Sequence, residues 1–313
     1  MKILVTGGSG FIGSHVADLL IAEGHDVSVI DNLSTGVRSN CPPNAIFHEV
    51  DIRDANAVNE LWEKEQFEVM MHLAAQMNVR VSVNDPIFDA EVNLIGLLTL
   101  LEAGRKNGLK RVVFASTGGA GYDDNVPFPT PETEPANPVS PYGIAKNTSE
   151  RYLRFFGMTH GLSWCALRLG NVYGPRQNPH GEAGVVSIFM QKLLAGDVPK
   201  INGDGLQTRD YVYVGDVARA FNFALNSDYQ GFLNIGTSIE TNVVDLYESI
   251  RVALGSDVAA EHGPTASGEV RRSCLANGKA KEVLGWSPDV VLPEGISRTA
   301  EFFKLKASDP DAR

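Results

Sequence analysis

The strongest constraint on this chain lies at its N-terminus, where MKILVT runs directly into GGSGFIGSH. Lys2 to Thr6 is an apolar run too short for a helix and reads as a strand. From Phe11 the apolar residues Ile12, Val16, Leu19 and Leu20 fall at helical spacing, and Gly24 ends the run. Gly7, Gly10 and Gly13 therefore occupy the turn between a strand and a helix N-terminus. Backbone N–H groups point outward there, the helix dipole favours negative charge, and missing side chains let a ligand approach the backbone closely. Three glycines alone also suit a bare tight turn, and the next strand decides between the two. Residues 25–30 are apolar and β-branched and end in Asp31-Asn32. A carboxylate at that place accepts hydrogen bonds from ribose hydroxyls and repels a 2′-phosphate. The pattern predicts a dinucleotide site for NAD rather than NADP.

Strand and helix signals then alternate. Strands are expected over 45–50, 67–74, 111–115 and 163–169, with helices over 55–64, 86–107 and 142–160. Such alternation predicts an α/β fold, a Rossmann-type doubly wound parallel sheet with ligands at the carboxyl ends of its strands. After Asn171 the rhythm breaks into loops dense in Gly, Pro, Asn and Arg, although 231–235 reads as a strand that rejoins the sheet. The division expected is an NAD-binding domain over 1–172 plus about 211–236, and a smaller discontinuous C-terminal substrate lobe over about 173–210 plus 237–313.

A formal net charge of −11 argues against a nucleic-acid partner, which requires a basic face. The three cysteines, Cys41, Cys165 and Cys274, lack metal-site spacing and cannot all pair, so a reducing compartment is expected. No apolar run approaches membrane-spanning length, and the first strand begins at residue 2. The expectation is a cytoplasmic protein without metal. His72, in HLAAQ, is expected to pack under the sheet's carboxyl end, and His180 to serve loop structure.

Tyr142 and Lys146 are four apart on an expected helix, so their side chains share one face. A tyrosine acting as a base at neutral pH needs its pKa brought down by about 3 units from about 10. A lysine ammonium one turn away supplies part of that. About 25 residues earlier the strand end Ser116-Thr117-Gly118-Gly119 offers hydroxyls to a substrate oxygen. Simple satisfaction of a strand terminus is the plainer role for those two hydroxyls.

TGGSGFIGSH, HLAAQ, STGGA, the Tyr142-to-Lys146 spacing, LRLGNVYGPRQNPHGEAGVV and GDGLQTRDYVYVGDVARA together resemble an extended short-chain dehydrogenase/reductase. Within that family the similarity is to bacterial and archaeal UDP-glucose 4-epimerases, over nearly the whole chain. The resemblance implies NAD contacts at Gly7, Gly10, Phe11, Ile12, Asp31, Asn32, Asp51, Ile52, Leu73, Ala74, Ala75, Asn93, Tyr142 and Lys146. It implies that Asn171 and Arg209 grip the UDP portion of the substrate, and that helices near 88–107 and 142–160 form a homodimer. It further implies that Tyr142 takes the proton of the sugar 4-hydroxyl while hydride leaves C4, and that the 4-keto sugar turns over before hydride returns. Ser116 and Thr117 compete for the supporting hydroxyl, with Thr117 favoured.

Related 4,6-dehydratases carry an Asp-Glu pair after the threonine, and related decarboxylases a nearby Glu, whereas Gly118-Gly119 stand here. Epimerisation is therefore expected over elimination, with UDP-uronate enzymes as the alternative. A non-catalytic NAD-sensing module, the other rival, typically lacks the Tyr/Lys pair. Two departures bear on the substrate. Ala266 stands where relatives place a phosphate-binding arginine, a role left to Arg271, and Ser273 stands where a tyrosine excludes N-acetyl sugars.

Overall fold

In a computed structural model, which describes residues 1–123, 125–179, 184–265 and 270–309, strand and helix alternate as the first half of the sequence expects. The strands are β1 (Lys2–Thr6), β2 (Asp26–Asp31), β3 (Ile46–Glu49), β4 (Val69–His72), β5 (Arg111–Thr117) and β6 (Ser163–Leu169). With Gly231–Ile235 they form one seven-stranded sheet, every pairing parallel, in the order Gly231–Ile235, β6, β5, β4, β1, β2, β3.

Both faces of this sheet are covered, and the sequence alternation decides which residue meets which layer. Ile3, Val5, Val29, Met71, Val113, Cys165 and Leu167 face one apolar cluster together with Val16, Leu20 and Phe221. Leu4, Ile30, Met70, Val112 and Ala166 face the other, against Trp62, Leu97 and Leu153. A third cluster is built on Tyr173, Phe189, Met190, Tyr213, Leu246, Tyr247 and Ile296, and reaches the first helix through Phe11. It is the core under the second half of the chain.

Helix ends follow local chemistry. Asp54 caps α2 (Ala55–Glu65) by accepting from Asn56 N and Ala57 N, and Ser140 caps the helix Pro141–His160 by accepting from Gly143 N. The helix α1 (Phe11–Ala22) differs: its N-cap is Gly10, and no side chain caps it.

The expected helix over 86–107 is three successive pieces: Pro86–Ala90, a π-helical turn Glu91–Ile95, and Gly96–Lys106. Hydrophobic spacing reports the continuous rod and is blind to one widened turn. The short helix Val79–Asn84, capped by Asn78, was not expected either, because its Val-Arg-Val-Ser-Val pattern reads as extended chain. Past β6 come three short strand pairs: Asn171–Tyr173 with Tyr211–Tyr213, Thr208–Arg209 with Thr241–Asn242, and Lys200–Asn202 with Glu261–Gly263.

Candidate active site

The carboxyl ends of β1, β2, β4, β5 and β6 open into one cleft of about 660 Å³, at the point where strand order reverses between β1 and β4. Gly7 turns there with φ +69°, and a Cβ on it would lie 2.7 Å from Ala74 N. A Cβ on Gly13 would lie 2.1 Å from Gly7 O, so helix and turn approach as closely as they do only without a side chain. The uncapped first turn of α1 faces this cradle. On the next strand Asp31, 8% exposed, accepts from Ser9 N at 3.0 Å and Leu33 N at 2.9 Å. Burial pushes its carboxyl up, and those two backbone bonds oppose the shift. A buried acceptor beside a side-chain-free helix N-terminus, in a cleft of this size, fits the ribose and pyrophosphate of a dinucleotide.

Gly10, Phe11, Ile12, Asn32, Asp51, Ile52, Leu73, Ala74 and Ala75 line the same cleft. Asn32 Nδ2 donates to Asp51 Oδ2 at 3.0 Å, and Arg53 grips Asp51 through Nε and Nη2 at 3.0 and 2.7 Å. The Arg53 guanidinium holds the Asp51 carboxyl well below the usual range. Thr6 explains the turn after β4. Its hydroxyl accepts from Leu73 N and Ala74 N, both at 3.1 Å, and stands 2.8 Å from His72 Nδ1. With both amides donating to it, the hydroxyl gives its proton to Nδ1. Burial pushes the His72 ring down to about 3, so it is a neutral packing residue, as expected. No cluster of metal-ligating side chains exists among the described residues.

At the other end of the cleft stand Tyr142, Lys146, Ser116, Thr117 and Asn171. Lys146, 3% exposed, donates to Ala115 O at 3.0 Å, and its Nζ is 5.9 Å from the centre of the Tyr142 ring. Burial pushes this ammonium down to about 8, against the pull of Asp89. The two strand-end hydroxyls differ. Ser116, 4% exposed, donates to Glu150 Oε1 at 2.6 Å, and Glu150 is held by Arg168 through bonds of 2.9 and 2.6 Å. The β5–β6 register sets Ser116 beside Arg168, which commits that hydroxyl to a buried ion pair. The Thr117 hydroxyl accepts from Ala120 N at 3.2 Å and is half-buried at the cleft wall.

Residues 3–236 match the model of the NAD dependent epimerase/dehydratase family. The chain belongs to that family. It is 46% identical to a UDP-glucose 4-epimerase of Mycolicibacterium smegmatis, with 98% of this chain and 100% of that one covered. A solved UDP-glucose 4-epimerase of Thermotoga maritima, with UDP-glucose, is 49% identical with a TM-score of 0.96, over 98% of this chain and all of that one. One of Thermus thermophilus in complex with NAD is 44% identical with a TM-score of 0.91, over 97% of this chain and 99% of that one. The cofactor of this epimerase/dehydratase fold is NAD, and the glycine turn and Asp31 fit it.

Four of the residues expected at the epimerase/dehydratase site do not line the cleft. Asn93 is buried behind Gln76, with Gln76 N donating to its Oδ1 at 3.0 Å. Arg209 folds back to donate to Thr208 O at 2.7 Å. Arg271 is exposed and paired with Asp204 at 2.8 and 3.0 Å. Ser273 is buried beside the hydroxyl loop: a Cβ on Gly119 would be 3.9 Å from its Oγ and 3.7 Å from Asn171 Oδ1. Ala266 and His180 lie outside the described residues. Conversely, Arg53, Gln76, Arg176 and Gln177 line the cleft and were missed. Gln76, Arg176 and Gln177 had visible signals, standing within the quoted HLAAQ and GPRQ stretches, whereas Arg53 is placed by tertiary contacts with Asp51, Glu91 and the Phe88 ring.

Proposed function

We propose that the chain is an NAD-dependent 4-epimerase of UDP-hexoses, interconverting UDP-glucose and UDP-galactose through a transient 4-keto sugar. The observation that carries this reading is the meeting of Tyr142, Lys146 and Thr117 at one end of the cleft, with glycines following the threonine. Tyr142 takes the proton of the sugar 4-hydroxyl, and the Lys146 ammonium on the same helix face favours the phenolate that does so. Thr117 holds the reacting oxygen by a hydrogen bond, while Ser116 stays with Glu150. Asn171 at the cleft and Arg209 behind it serve the UDP portion. Bound NAD supplies the acceptor and donor of hydride at C4.

Elimination needs an acid beside the threonine, and the packing opposes one. A Cβ on Gly118 would lie 2.4 Å from Leu275 Cδ1, so that space already belongs to an apolar side chain. The test is UDP-galactose incubated with purified protein and no added NAD, the products followed by proton NMR. Appearance of UDP-glucose supports the reading; a dehydrated or decarboxylated sugar, or no turnover, overturns it.

The small Ser273 beside Gly119 favours a wider sugar range that includes UDP-GlcNAc and UDP-GalNAc. If so, Ser273→Tyr should cut kcat/KM for the N-acetyl pair selectively, and an unchanged ratio between the two sugar pairs removes the idea. The two-lobed division into 1–172 with about 211–236, and about 173–210 with 237–313, belongs to this reading, with the UDP-sugar between the lobes. So does a homodimer. Ile144, Tyr152, Phe155 and Met158 are exposed along one side of Pro141–His160, next to exposed Val83, Ile87 and Ile95. Three buried free cysteines suit a cytoplasmic setting, and no helix among the described residues is long and apolar enough to cross a membrane.

A further inference from the structure

Asp210 has no part in the chemistry derived so far, yet it is 1% exposed, between the strands Thr208–Arg209 and Tyr211–Tyr213. Its Oδ1 accepts from Thr237 N at 2.7 Å and from the Thr237 hydroxyl at 2.6 Å. Ile239 N donates to that same hydroxyl at 3.2 Å, which leaves the hydroxyl proton to Asp210. Oδ2 accepts from Ser238 N at 3.2 Å and from Leu275 N at 3.1 Å. A Cβ on Gly236 would lie 2.3 Å from Oδ2, so the carboxylate reaches this turn only over bare backbone. Burial pushes the Asp210 carboxyl up, and the bonds from Thr237, Leu275 and Ser238 oppose the shift.

The carboxylate stands where a backbone ladder is interrupted. Thr208 N donates to Arg271 O at 3.0 Å and Ser273 N to Thr208 O at 3.2 Å, a parallel bridge between the two segments. Continued, the ladder would send Leu275 N to the carbonyl of residue 210. That carbonyl accepts from Asn171 N at 2.8 Å instead, and the Asp210 side chain takes Leu275 N in its place. Residue 210 thus joins Asn171, which lines the cleft, to the segment 273–275. The turn 236–238 is stitched to the same stretch: Ser238 Oγ donates to Leu275 O at 2.9 Å, and Asn277 Nδ2 to Gly236 O at 2.9 Å. Two side chains of the segment back the hydroxyl loop. A Cβ on Gly118 would meet Leu275 Cδ1 at 2.4 Å, and one on Gly119 would be 3.9 Å from Ser273 Oγ.

We propose that Asp210 is a positioning residue for the UDP-sugar: its carboxylate fixes the segment 273–275 against the turn 236–238, and so sets how closely Ser273 and Leu275 back the Thr117–Gly119 loop. The inference rests on the reading that places the reacting sugar at Thr117. No group on the Asp210 side chain touches the reacting atoms in this account. Its effect passes through Leu275 and Ser273 to the loop, and belongs to sugar binding rather than to the hydride step or to the NAD cradle at the far end of the cleft.

Asp210→Asn is the direct test, because it keeps the size but turns an NH₂ group toward donors that now meet an oxygen. Two measurements on NAD-loaded protein read the result, and neither needs turnover. Cys274, 1% exposed within the segment, should react with N-ethylmaleimide about tenfold faster, since local opening limits access to a buried thiol. Peptide mass spectrometry assigns the label, and Cys41 and Cys165 should keep their natural rates. The Kd for UDP-galactose, by calorimetry, should rise about tenfold with NAD content unchanged, the scale of one lost hydrogen bond to a charged group. An unchanged Kd in folded protein overturns the inference and leaves Asp210 a residue of stability alone; unchanged labelling of Cys274 overturns it as well. A natural protein that binds UDP-galactose without epimerising it refutes the epimerase reading and not this inference, whereas one that does not bind it refutes both. Should Asp210→Asn not fold, Thr237→Val withdraws one donor at nearly constant shape, and both readouts should move in the same direction.

Discussion

In the proposed reaction Tyr142, Lys146 and Thr117 divide the chemistry among single residues, and each role has a measurable consequence. Tyr142→Phe should keep fold and cofactor but lose several orders of magnitude in kcat, since phenylalanine accepts no proton. Lys146→Ala should move the acidic limb of the pH–rate profile upward, because the phenolate loses its adjacent cation. An unchanged limb would mean that Lys146 serves only to position the cofactor. The two strand-end hydroxyls should separate cleanly. Thr117→Val should lower kcat by about 10²-fold, the scale of one lost oxyanion-type donor. Ser116→Ala should act on stability instead, because it strips a donor from the buried Glu150–Arg168 pair. Equal kcat losses in the two variants would contradict the assignment. The Tyr/Lys spacing was legible because helical period alone brings those side chains together. The choice between Ser116 and Thr117 was not, since it depends on Glu150 and Arg168 arriving from two other elements.

Among the elements, the β1 turn and α1 were legible almost to the residue. A short apolar run, glycines and a helical stripe leave the chain little else to form. Gly13 shows why: Gly13→Ala would set a Cβ 2.1 Å from Gly7 O, against backbone that cannot swing away. That variant should lose NAD and about 1–3 kcal/mol of stability, the scale of overpacking, as read by released NAD and denaturant midpoint. Retention of full NAD would show that the cradle tolerates widening. The π-helical turn Glu91–Ile95 was not legible, because hydrophobic spacing does not report one widened turn; its Asn93 bonds both to Asp89, one turn earlier, and to the distant Gln76. Arg209 and Arg271 stand in sequence contexts that suit phosphate; in the structure Arg209 donates to the Thr208 carbonyl and Arg271 to the Asp204 carboxylate.

Over the whole molecule, two large cores sandwich a parallel sheet, a third lies mostly under the second half of the chain, and the cleft opens at the sheet's carboxyl edge. The exposed apolar side of Pro141–His160 should be covered by a second copy. Light scattering after size exclusion should therefore give twice the 33.8 kDa of the chain. Met158→Glu should shift that toward monomer, and a monomeric natural protein would contradict the dimer. Asp31 predicts NAD, not NADP, in the supernatant of denatured protein, near one per chain. The central claim is that hydride leaves C4 and returns to C4 without meeting solvent. UDP-galactose deuterated at C4 tests it most directly, converted by purified protein in ordinary water and read by mass spectrometry and NMR. The account predicts UDP-glucose with the deuterium still at C4; loss of the label to water, or its appearance at another carbon, would contradict it.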